Sequence, residues 1–406
     1  MYRSPRRRSA TAGGLLMGGL LMGSATVLGA GFVQGYPADA AGANPVQAAP
    51  HWVAVAAKSP PGTPTFATAT CLTATDCWAA GAWTSGSGAG TTSPLLEHWS
   101  GRTWALVPTP VAGAQLSRVS CSTAADCWVA GSASQGHEQR PVVEHWDGRN
   151  WSDDVLPAVP SSYTSAYLAS VSCISARSCF AVGGAGTGPG LAAGTVPLLF
   201  HWDGEAWGRE AVPLPTGYRS ADLGALYCFG ATSCIADGTE IPVHGYFDRA
   251  FSESFNGKAW AAVQVPQPYH FQYSYSAAPD MTCLSAHRCL LPLNAAAHAN
   301  GQTAFTPYLA LWDGSSWSLR SVAEPDGFSA FADVACAAST DCWLPDGPGM
   351  DHWTGATSLS HVALPGAATT GAGVAQLQAV ACVPAQACFA LGQGHGRVLA
   401  YEIPGH

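Results

Sequence analysis

Seven cysteine pairs, each with five residues between its two members, constrain the fold of this 406-residue chain more than any other feature. The first cysteines of successive pairs are 50, 52, 55, 55, 53 and 46 residues apart. This spacing indicates seven tandem repeats, which we number 1 to 7. Repeats of about 50 residues are typical of the four-stranded blades of β-propellers. The pairs are Cys71 and Cys77, Cys121 and Cys127, Cys173 and Cys179, Cys228 and Cys234, Cys283 and Cys289, Cys336 and Cys342, and Cys382 and Cys388.

Repeat 2 shows the strand pattern that the repeats share. Residues 118–121 are a short extended segment, and a polar loop of five residues separates its cysteine from the next apolar segment. A third segment, 141–146, leads into the turn Asp147-Gly148, and Trp151 opens a fourth. Asp-Gly pairs tolerate the left-handed backbone that a tight hairpin requires. Each repeat is therefore predicted to contain four antiparallel strands.

Two aromatic residues flank the turn between the third and fourth strands. The pattern Trp-x-Gly-x-x-Trp places two indoles where they can pack across the strands, and we interpret them as packing residues. Repeat 4 has Phe255 in the first position, and repeat 6 lacks the second tryptophan. The tryptophan pairs are Trp99 and Trp104, Trp146 and Trp151, Trp202 and Trp207, and Trp312 and Trp317. Histidines that precede the first aromatic in four repeats are also predicted to be structural: His98, His145, His201 and His352.

The two ends of the chain complement each other. Repeat 7 ends after a third strand at 398–404, whereas residues 51–55 form a strand-like segment ahead of repeat 1. Trp52 lies 19 residues before Cys71, so this segment has the spacing of a fourth strand. The sequence therefore predicts an all-β, seven-bladed β-propeller with four-stranded blades, one disulfide per blade and an N-terminal strand that completes the last blade.

The cysteines are predicted to form disulfides within each repeat. Two strands joined by a five-residue loop bring the flanking cysteines within reach of each other, and an even count in an exported chain favours oxidation. The alternative is a metal site, but no second short-spaced cysteine or histidine pair lies nearby in the sequence to complete tetrahedral coordination. We therefore expect no metal ion and no cofactor.

The first 40 residues have the organisation of an export signal. Four arginines precede an uncharged apolar run from about residue 10 to residue 33, and Ala38 and Ala40, or alternatively Ala41 and Ala43, fit a cleavage site. We expect residues 1–40 to be a signal peptide for the Sec or the twin-arginine route, 41–50 a short linker and 51–406 the propeller. The alternative is an uncleaved anchor, because about 24 apolar residues can span a bilayer.

Composition and charge exclude several classes of protein. Charged residues make up 11% of the chain, and 46 glycines and 29 prolines interrupt any long helix, which excludes a coiled coil. Cleavage after residue 40 would remove four arginines and Asp39, taking the net charge from −9 to −12. We expect no nucleic-acid partner. The expected form is a secreted, extracellular monomer with no membrane span after cleavage.

The candidate ligand site lies on the loops that break the repeat. The cysteine loop and the Asp-Gly turn are predicted to share one face of the ring, and the variable loops lie on the opposite face, where such scaffolds carry binding sites. Aromatic rings beside acidic and basic side chains suit sugar binding, although they could equally cover the channel mouth or pack between blades. The candidate ligand-binding residues are Tyr218, Arg219, Glu240, His244, Tyr246, Asp248, Arg249, Tyr269, His270, Tyr273 and Tyr275.

The turn Trp-Asp-Gly-x-x-Trp resembles the Asp-box of BNR-repeat propellers of the sialidase type. The Gly-x-x-Trp spacing matches, whereas the serine of the Asp-box is missing and Asp147 directly precedes Gly148. The whole repeat is similar to the secreted, cysteine-paired propeller repeats of actinobacteria. The Asp-box is a folding motif, so the resemblance implies a propeller and little about chemistry. A sialidase would also need three converging arginines and a Tyr/Glu pair, for which Tyr246 and Glu240 are the candidates.

Three functions remain open. The first is a non-catalytic binding propeller whose ligand is an extracellular glycan or protein, and for this hypothesis we assign no catalytic residue. The second is an Asp-box-propeller glycoside hydrolase, sialidase-like, or a lyase, which would need a carboxylate pair about 5 to 10 Å apart at the channel mouth. The third is a passive structural protein of the cell envelope, which predicts no pocket beside Tyr246 and Tyr273.

Overall fold

A computed structural model describes residues 51–86, 90–136, 138–188, 194–212, 216–244, 248–267, 275–277, 280–299, 302–323, 330–369 and 373–405. The predicted signal peptide and linker lie outside these ranges. The described residues fold as an all-β propeller. Within them, no helix has the length and apolar character needed to cross a bilayer.

Short strands follow one another along the whole described chain. The strands that precede repeat 4 are β1 (Val53–Ala54), β2 (Ala56–Ala57), β3 (Thr63–Thr73), β4 (Asp76–Thr84), β5 (Thr92–Trp99), β6 (Thr103–Leu106), β7 (Ala114–Thr123), β8 (Asp126–Gln135), β9 (Glu138–Trp146), β10 (Trp151–Asp153), β11 (Ser165–Ser175), β12 (Ser178–Gly186), β13 (Val196–Trp202) and β14 (Trp207–Glu210). The strands from repeat 4 onward are β15 (Tyr218–Gly230), β16 (Ser233–Pro242), β17 (Arg249–Phe255), β18 (Trp260–Val263), β19 (Tyr275–Ala277), β20 (Thr282–Ser285), β21 (Arg288–Ala299), β22 (Gln302–Trp312), β23 (Trp317–Ser321), β24 (Ala335–Ala338), β25 (Asp341–Asp346), β26 (Gly349–Trp353), β27 (Ser360–Ala363), β28 (Gln376–Val383), β29 (Ala387–Gly394) and β30 (Arg397–Pro404).

The number of blades differs from the prediction. Across the described residues the strands form six sheets, of which five have the four or five strands of a single blade. The sixth has eight strands, because β11 of repeat 3 pairs with β9 of repeat 2 where Ser165 lies opposite Gln139. The Gln139 N–H donates to the Thr164 carbonyl at 3.1 Å, and the Ser165 hydroxyl donates to the Gln139 side chain at 2.9 Å. The prediction of seven blades is therefore wrong: the propeller has five separate blades, and the cysteine pairs count blade-like repeats.

The N-terminal segment pairs with the end of the chain, as predicted. Val53 of β1 lies opposite Glu402 of β30 in an antiparallel ladder. The next strand, β2, pairs in parallel with β6 of repeat 1, where Ala56 lies opposite Thr103. The segment therefore connects the last repeat to the first.

The apolar core lies between neighbouring repeats. One cluster packs Phe66 and Trp104 of repeat 1 against Phe389 and Leu391 of repeat 7, which closes the ring. The predicted tryptophan pairs also pack across their strands, and Trp146 and Trp151 have ring centroids 5.8 Å apart. Because each repeat buries its apolar faces against both neighbours, a repeat has no complete core by itself.

All seven predicted cysteine pairs are disulfides, and their Cα atoms are 3.9 or 4.0 Å apart. Each disulfide joins directly opposed residues of two antiparallel strands, as in the pairing of Cys121 with Cys127. Seven disulfides are consistent with an extracellular protein.

The Asp-Gly turn packs against the cysteine loop of its own repeat, so the two lie on one face as predicted. In repeat 2, Gly148 has a φ of 89°, and a Cβ there would lie 2.9 Å from the Cβ of Ala125. Asp147 accepts the N–H groups of Arg149 and Asn150 at 2.8 Å. These hydrogen bonds hold the pKa of Asp147 below its usual value. The turn therefore depends on a glycine and an aspartate at adjacent positions.

Candidate functional site

A cavity of about 430 Å³ opens beside the outer strands of repeat 4, and we call it the repeat 4 cavity. Its volume lies within the range of about 300 to 1,000 Å³ that is usual for small-molecule sites. It combines aromatic, acidic and basic side chains. The residues that matter for its chemistry are Tyr218, Glu240, Arg249, Phe251, Glu253 and Trp260.

Strand pairing brings these side chains together. Glu240, near the end of β16, lies directly opposite Arg249 at the start of β17. Side chains alternate along a strand, so Arg249, Phe251 and Glu253 share one face of β17. Phe251 lies opposite Gly238, where a Cβ would collide with the Phe251 ring. The glycine therefore makes room for the aromatic wall of the cavity.

Glu240 is a buried carboxyl in this cavity, with 6% of its surface exposed. Burial raises its pKa to about 7, although the hydrogen bond from the Tyr218 hydroxyl and the charge of Arg249 both lower it. The same contact acts on the phenol, because burial and then Glu240 raise the pKa of Tyr218. Glu240 can therefore exchange a proton near neutral pH.

Glu253 is a second buried carboxyl in the same cavity, with 2% of its surface exposed. Burial, and to a smaller extent the charge of Glu240, raises its pKa to about 7. Among the described residues, its Oε2 atom has no hydrogen-bond partner. The cavity thus holds two carboxyl groups whose charges influence each other.

The position of Glu253 recurs in other repeats, two residues before the first aromatic of the turn. Burial raises the pKa of the acid at this position in four repeats. The pKa is about 8 for Glu97, about 7 for Glu144 and for Glu253, and about 6 for Asp351. The predicted site did not include this position, although Glu-His-Trp in repeats 1 and 2 is a visible sequence signal. An acid that recurs in four repeats belongs to the scaffold, so any special role of Glu253 depends on its surroundings.

Repeat 2 carries a cavity of similar size, about 480 Å³, which we call the repeat 2 cavity. Arg140 lines it six residues before Trp146, which is the spacing of Arg249 from Phe255 in repeat 4. The residue opposite Arg140 is Ala133, whereas Glu240 lies opposite Arg249.

The buried acid of repeat 2 is turned away from that cavity. Oε1 of Glu144 accepts the backbone N–H of Val111 at 3.3 Å, and Glu144 is not among the lining residues of the repeat 2 cavity. The repeat 2 cavity therefore has the basic residue of the repeat 4 cavity without its two buried acids.

The predicted ligand-binding residues divide into three groups. Tyr218, Glu240 and Arg249 line the repeat 4 cavity together. Arg219 is exposed and lowers the pKa of the half-buried Asp248, which burial raises. Of the remaining residues, His244 is exposed and Tyr275 lies in β19, whereas Tyr246, Tyr269, His270 and Tyr273 fall outside the described residues.

Two polar partners of this region were not anticipated. The Tyr167 hydroxyl of repeat 3 donates a hydrogen bond to Asp222 of β15. Burial raises the pKa of Asp222, and the charge of Asp248 raises it further. In addition, the Tyr218 hydroxyl is bonded to Glu240, which is the contact that the sequence suggested for Tyr246. Tyr218 begins β15, the strand paired with β16, whereas Tyr246 falls outside the described residues.

Three of the four recurring histidines, His98, His145 and His352, pair with an aspartate of their own repeat, which is consistent with the predicted structural role. In repeat 2, His145 Nε2 lies 2.7 Å from Asp126 Oδ1, and its ring stacks on Trp128 with a centroid distance of 4.4 Å. The same arrangement joins His98 to Asp76 at 2.8 Å. These pairs stabilise the outer part of the repeats and do not line the repeat 4 cavity.

An arginine on the inner strand β7 was also missed by the predicted site. Arg118 donates to Asp280 of repeat 5 and, at 2.6 Å, to the Tyr227 hydroxyl of repeat 4. Burial raises the pKa of Asp237 and of Asp333 to about 7, and the charge of Arg118 lowers both. One guanidinium thus neutralises acids from several repeats, a contact that sequence spacing cannot show.

The sequence matches no protein-family model and no curated protein. Two solved structures are similar over most of their length. YCF48 from Cyanidioschyzon merolae is 14% identical with a TM-score of 0.52, over 86% of this chain and 98% of that one. The polysaccharide lyase Uly1 is 8% identical with a TM-score of 0.53, over 88% of this chain and 97% of the lyase.

A weaker likeness is to the Hadza microbial sialidase Hz136, which is 7% identical with a TM-score of 0.43, over 78% of this chain and 73% of that one. That score is too low to support an argument about the fold. At these identities the two stronger likenesses concern architecture alone. The likeness of this chain to known proteins is therefore a likeness of fold, that of an all-β propeller.

Proposed function

We propose that this protein is an exported propeller that binds an extracellular carbohydrate in the repeat 4 cavity. The observation that carries the proposal is the combination of accessible aromatic rings with polar groups in one concave site. Seven disulfides and the predicted signal peptide support export.

The side chains of the cavity suit a sugar. Trp260 is half-buried, so its indole is accessible for stacking against the apolar face of a pyranose ring. Arg249 is exposed and can donate hydrogen bonds to hydroxyl or carboxylate oxygens. The Tyr218 hydroxyl donates its proton to Glu240, so the two groups offer a ligand hydrogen-bond acceptors in the cavity. Aromatic surface with a few convergent polar groups is the usual composition of a small-molecule site.

A glycan array probed with the purified protein, followed by calorimetric titration of the best oligosaccharide, tests the proposal. Trp260→Ala and Arg249→Ala are each expected to weaken binding at least tenfold, because they remove the stacking surface and the exposed donor. The matched controls are Tyr163→Ala and Arg140→Ala, which alter the repeat 2 cavity and should leave affinity unchanged.

Two outcomes would reject the assignment. An array with no bound glycan would remove carbohydrate binding, and equal losses for Arg140→Ala and Arg249→Ala would remove the repeat 4 cavity as its site. Circular dichroism of each variant confirms that the fold is retained.

Glycoside cleavage is a second candidate, favoured by the two interacting carboxyls of the repeat 4 cavity. Cleavage of a glycosidic bond usually requires one protonated and one ionised carboxyl. Glu240 receives the Tyr218 hydrogen bond and faces Arg249, and both favour its ionised form. Its negative charge in turn favours the protonated form of Glu253. Glu240 would therefore be the carboxylate and Glu253 the acid.

Release of new reducing ends from the array-identified glycan distinguishes the two functions. An enzyme predicts that Glu253→Gln abolishes product formation while ligand affinity is kept. If wild-type protein binds the glycan and releases no product after prolonged incubation, the cavity is a binding site only.

A further inference from the structure

Repeat 6 holds a cluster of potential metal ligands outside the repeat 4 cavity. Asp346 ends β25, Asp351 lies in β26 and His361 lies in β27. One ligand atom from each residue lies within 4.8 Å of the other two. Asp346 and Asp351 are buried, with 3% and 0% of their surfaces exposed, whereas 36% of the His361 side chain is accessible.

Strand register and one glycine assemble the cluster. Asp351 lies directly opposite His361, and Asp346 lies opposite Gly349 across the two-residue turn that joins β25 to β26. A Cβ at Gly349 would collide with the imidazole, so the glycine allows the His361 ring to lie across β26. The turn is held by the Leu377 N–H, which donates to the Gly347 carbonyl at 2.8 Å.

The burial of the Asp351 carboxylate favours a cation in this cluster. Oδ1 of Asp351 lies 2.8 Å from His361 Nδ1, but its Oδ2 atom is fully buried with no hydrogen-bond partner among the described residues. An unpaired carboxylate oxygen is costly to bury, and a second carboxylate nearby adds repulsion. A cation bound between them would relieve both costs.

The other repeats lack this arrangement at the equivalent position. The residue opposite the recurring buried acid is Leu106 for Glu97, Asp153 for Glu144 and Ala262 for Glu253. Among the described repeats, repeat 6 alone therefore combines the buried acid with an imidazole on the next strand. The unpaired carboxylate oxygen itself recurs, since Oε2 of Glu144 and Oε2 of Glu253 also lack a partner among the described residues, whereas the imidazole beside it is particular to repeat 6.

We propose that Asp346, Asp351 and His361 bind a Zn²⁺ ion. Imidazole nitrogen with carboxylate oxygen suits Zn²⁺, whereas Ca²⁺ and Mg²⁺ prefer oxygen ligands alone. Tetrahedral coordination at about 2.0 to 2.1 Å places ligand atoms about 3.3 Å apart, and the ligand atoms of the cluster already lie within 4.8 Å of one another. Three protein ligands leave one position for water, and the partly exposed His361 provides the path by which the ion enters.

Metal analysis of the full-length protein tests the site. Protein stripped with a chelator and dialysed against micromolar Zn²⁺ is expected to retain one ion per chain. Co²⁺ bound in its place should show the visible absorption bands of a tetrahedral ion. Wild-type protein that retains no Zn²⁺ overturns the proposal.

Variants show whether these residues hold the ion. Asp351→Asn and His361→Gln are each expected to reduce Zn²⁺ affinity at least tenfold and to remove the Co²⁺ bands. His145→Gln is the matched control. His145 pairs with Asp126 in repeat 2, and among the described residues this pair belongs to no cluster of three potential metal ligands. If all three variants bind Zn²⁺ as tightly as the wild type, the ion is held elsewhere and the proposal fails. His361 is partly exposed, so its variant still decides the question should Asp351→Asn fail to fold.

Discussion

Repeats 2 and 4 have the same residues at two positions of the third strand and differ in what surrounds them. Arg140 and Glu144 of repeat 2 correspond to Arg249 and Glu253 of repeat 4 by their distance from the first aromatic of the turn. In repeat 2 the acid is bonded to a backbone N–H, whereas in repeat 4 it lines a cavity that also contains Glu240. The repeated scaffold therefore becomes a candidate site in repeat 4, where the recurring buried acid lines a cavity and a neighbouring strand supplies a second acid.

The largest difference between the two repeats is expected for the second aromatic of the turn. Trp151 is 7% exposed and packs edge-on against Trp78 at 5.2 Å, so Trp151→Ala should lower the free energy of unfolding by about 3 to 5 kcal/mol. Trp260 is only half-buried, so Trp260→Ala should cost less than half as much. Urea unfolding measures both free energies. Equal losses for the two variants would contradict the view that Trp260 is less tightly packed than Trp151.

The buried acids make stability depend on pH in both repeats. Burial raises the pKa of Glu144 and of Glu253 from 4.5 to about 7, so the folded chain keeps protons that the unfolded chain has already released. The free energy of unfolding therefore falls as pH rises from about 4.5 to about 7, and the loss is complete above that range.

Neutral variants remove this dependence. Glu144→Gln and Glu253→Gln should each be more stable than wild type by about 2 kcal/mol at pH 8.5, after allowance for solvent screening, and nearly unchanged at pH 4.5. Thermal unfolding at the two pH values measures the effect, with the exposed Glu205→Gln as control. If the repeat 4 cavity cleaves its glycan, only Glu253→Gln is expected to abolish cleavage, because Glu144 does not line that cavity. A gain that is the same at both pH values would show that burial of charge is not its cause.

The disulfides should contribute alike in the two repeats. Replacing Cys121 and Cys127, or Cys228 and Cys234, by serine opens a seven-residue loop, and each double variant should lose about 2 kcal/mol of unfolding free energy. Neither pair lines the repeat 4 cavity, so ligand affinity should not change. A loss of affinity in the Cys228 and Cys234 variant alone would show that the cavity depends on the cysteine face of repeat 4.

Part of the candidate site was predictable from the sequence. Tyr218, Glu240 and Arg249 were named because they break the repeat, and they meet in one cavity. Glu253 was not named, because it occupies a position that looks like scaffold in three other repeats. Trp260 occupies the second aromatic position of the turn, which the sequence predicts to be a packing position. Their exposure to the cavity depends on the packing of repeat 4, which no repeat pattern encodes.

Local features of the sequence were sufficient to determine the all-β character, the seven disulfides and the pairing of the N-terminal segment with β30. These depend on spacing along the chain, on turn residues such as Gly148 and on short loops that bring cysteines together. Tertiary structure decided the number of separate blades, the opening of Glu253 into a cavity and the meeting of Asp346 with His361. Each of these depends on contacts between strands of different repeats or across a turn, such as Ser165 with Gln139. Such contacts depend on how distant segments pack in three dimensions, so the residues that make them do not recur at a regular spacing in the sequence.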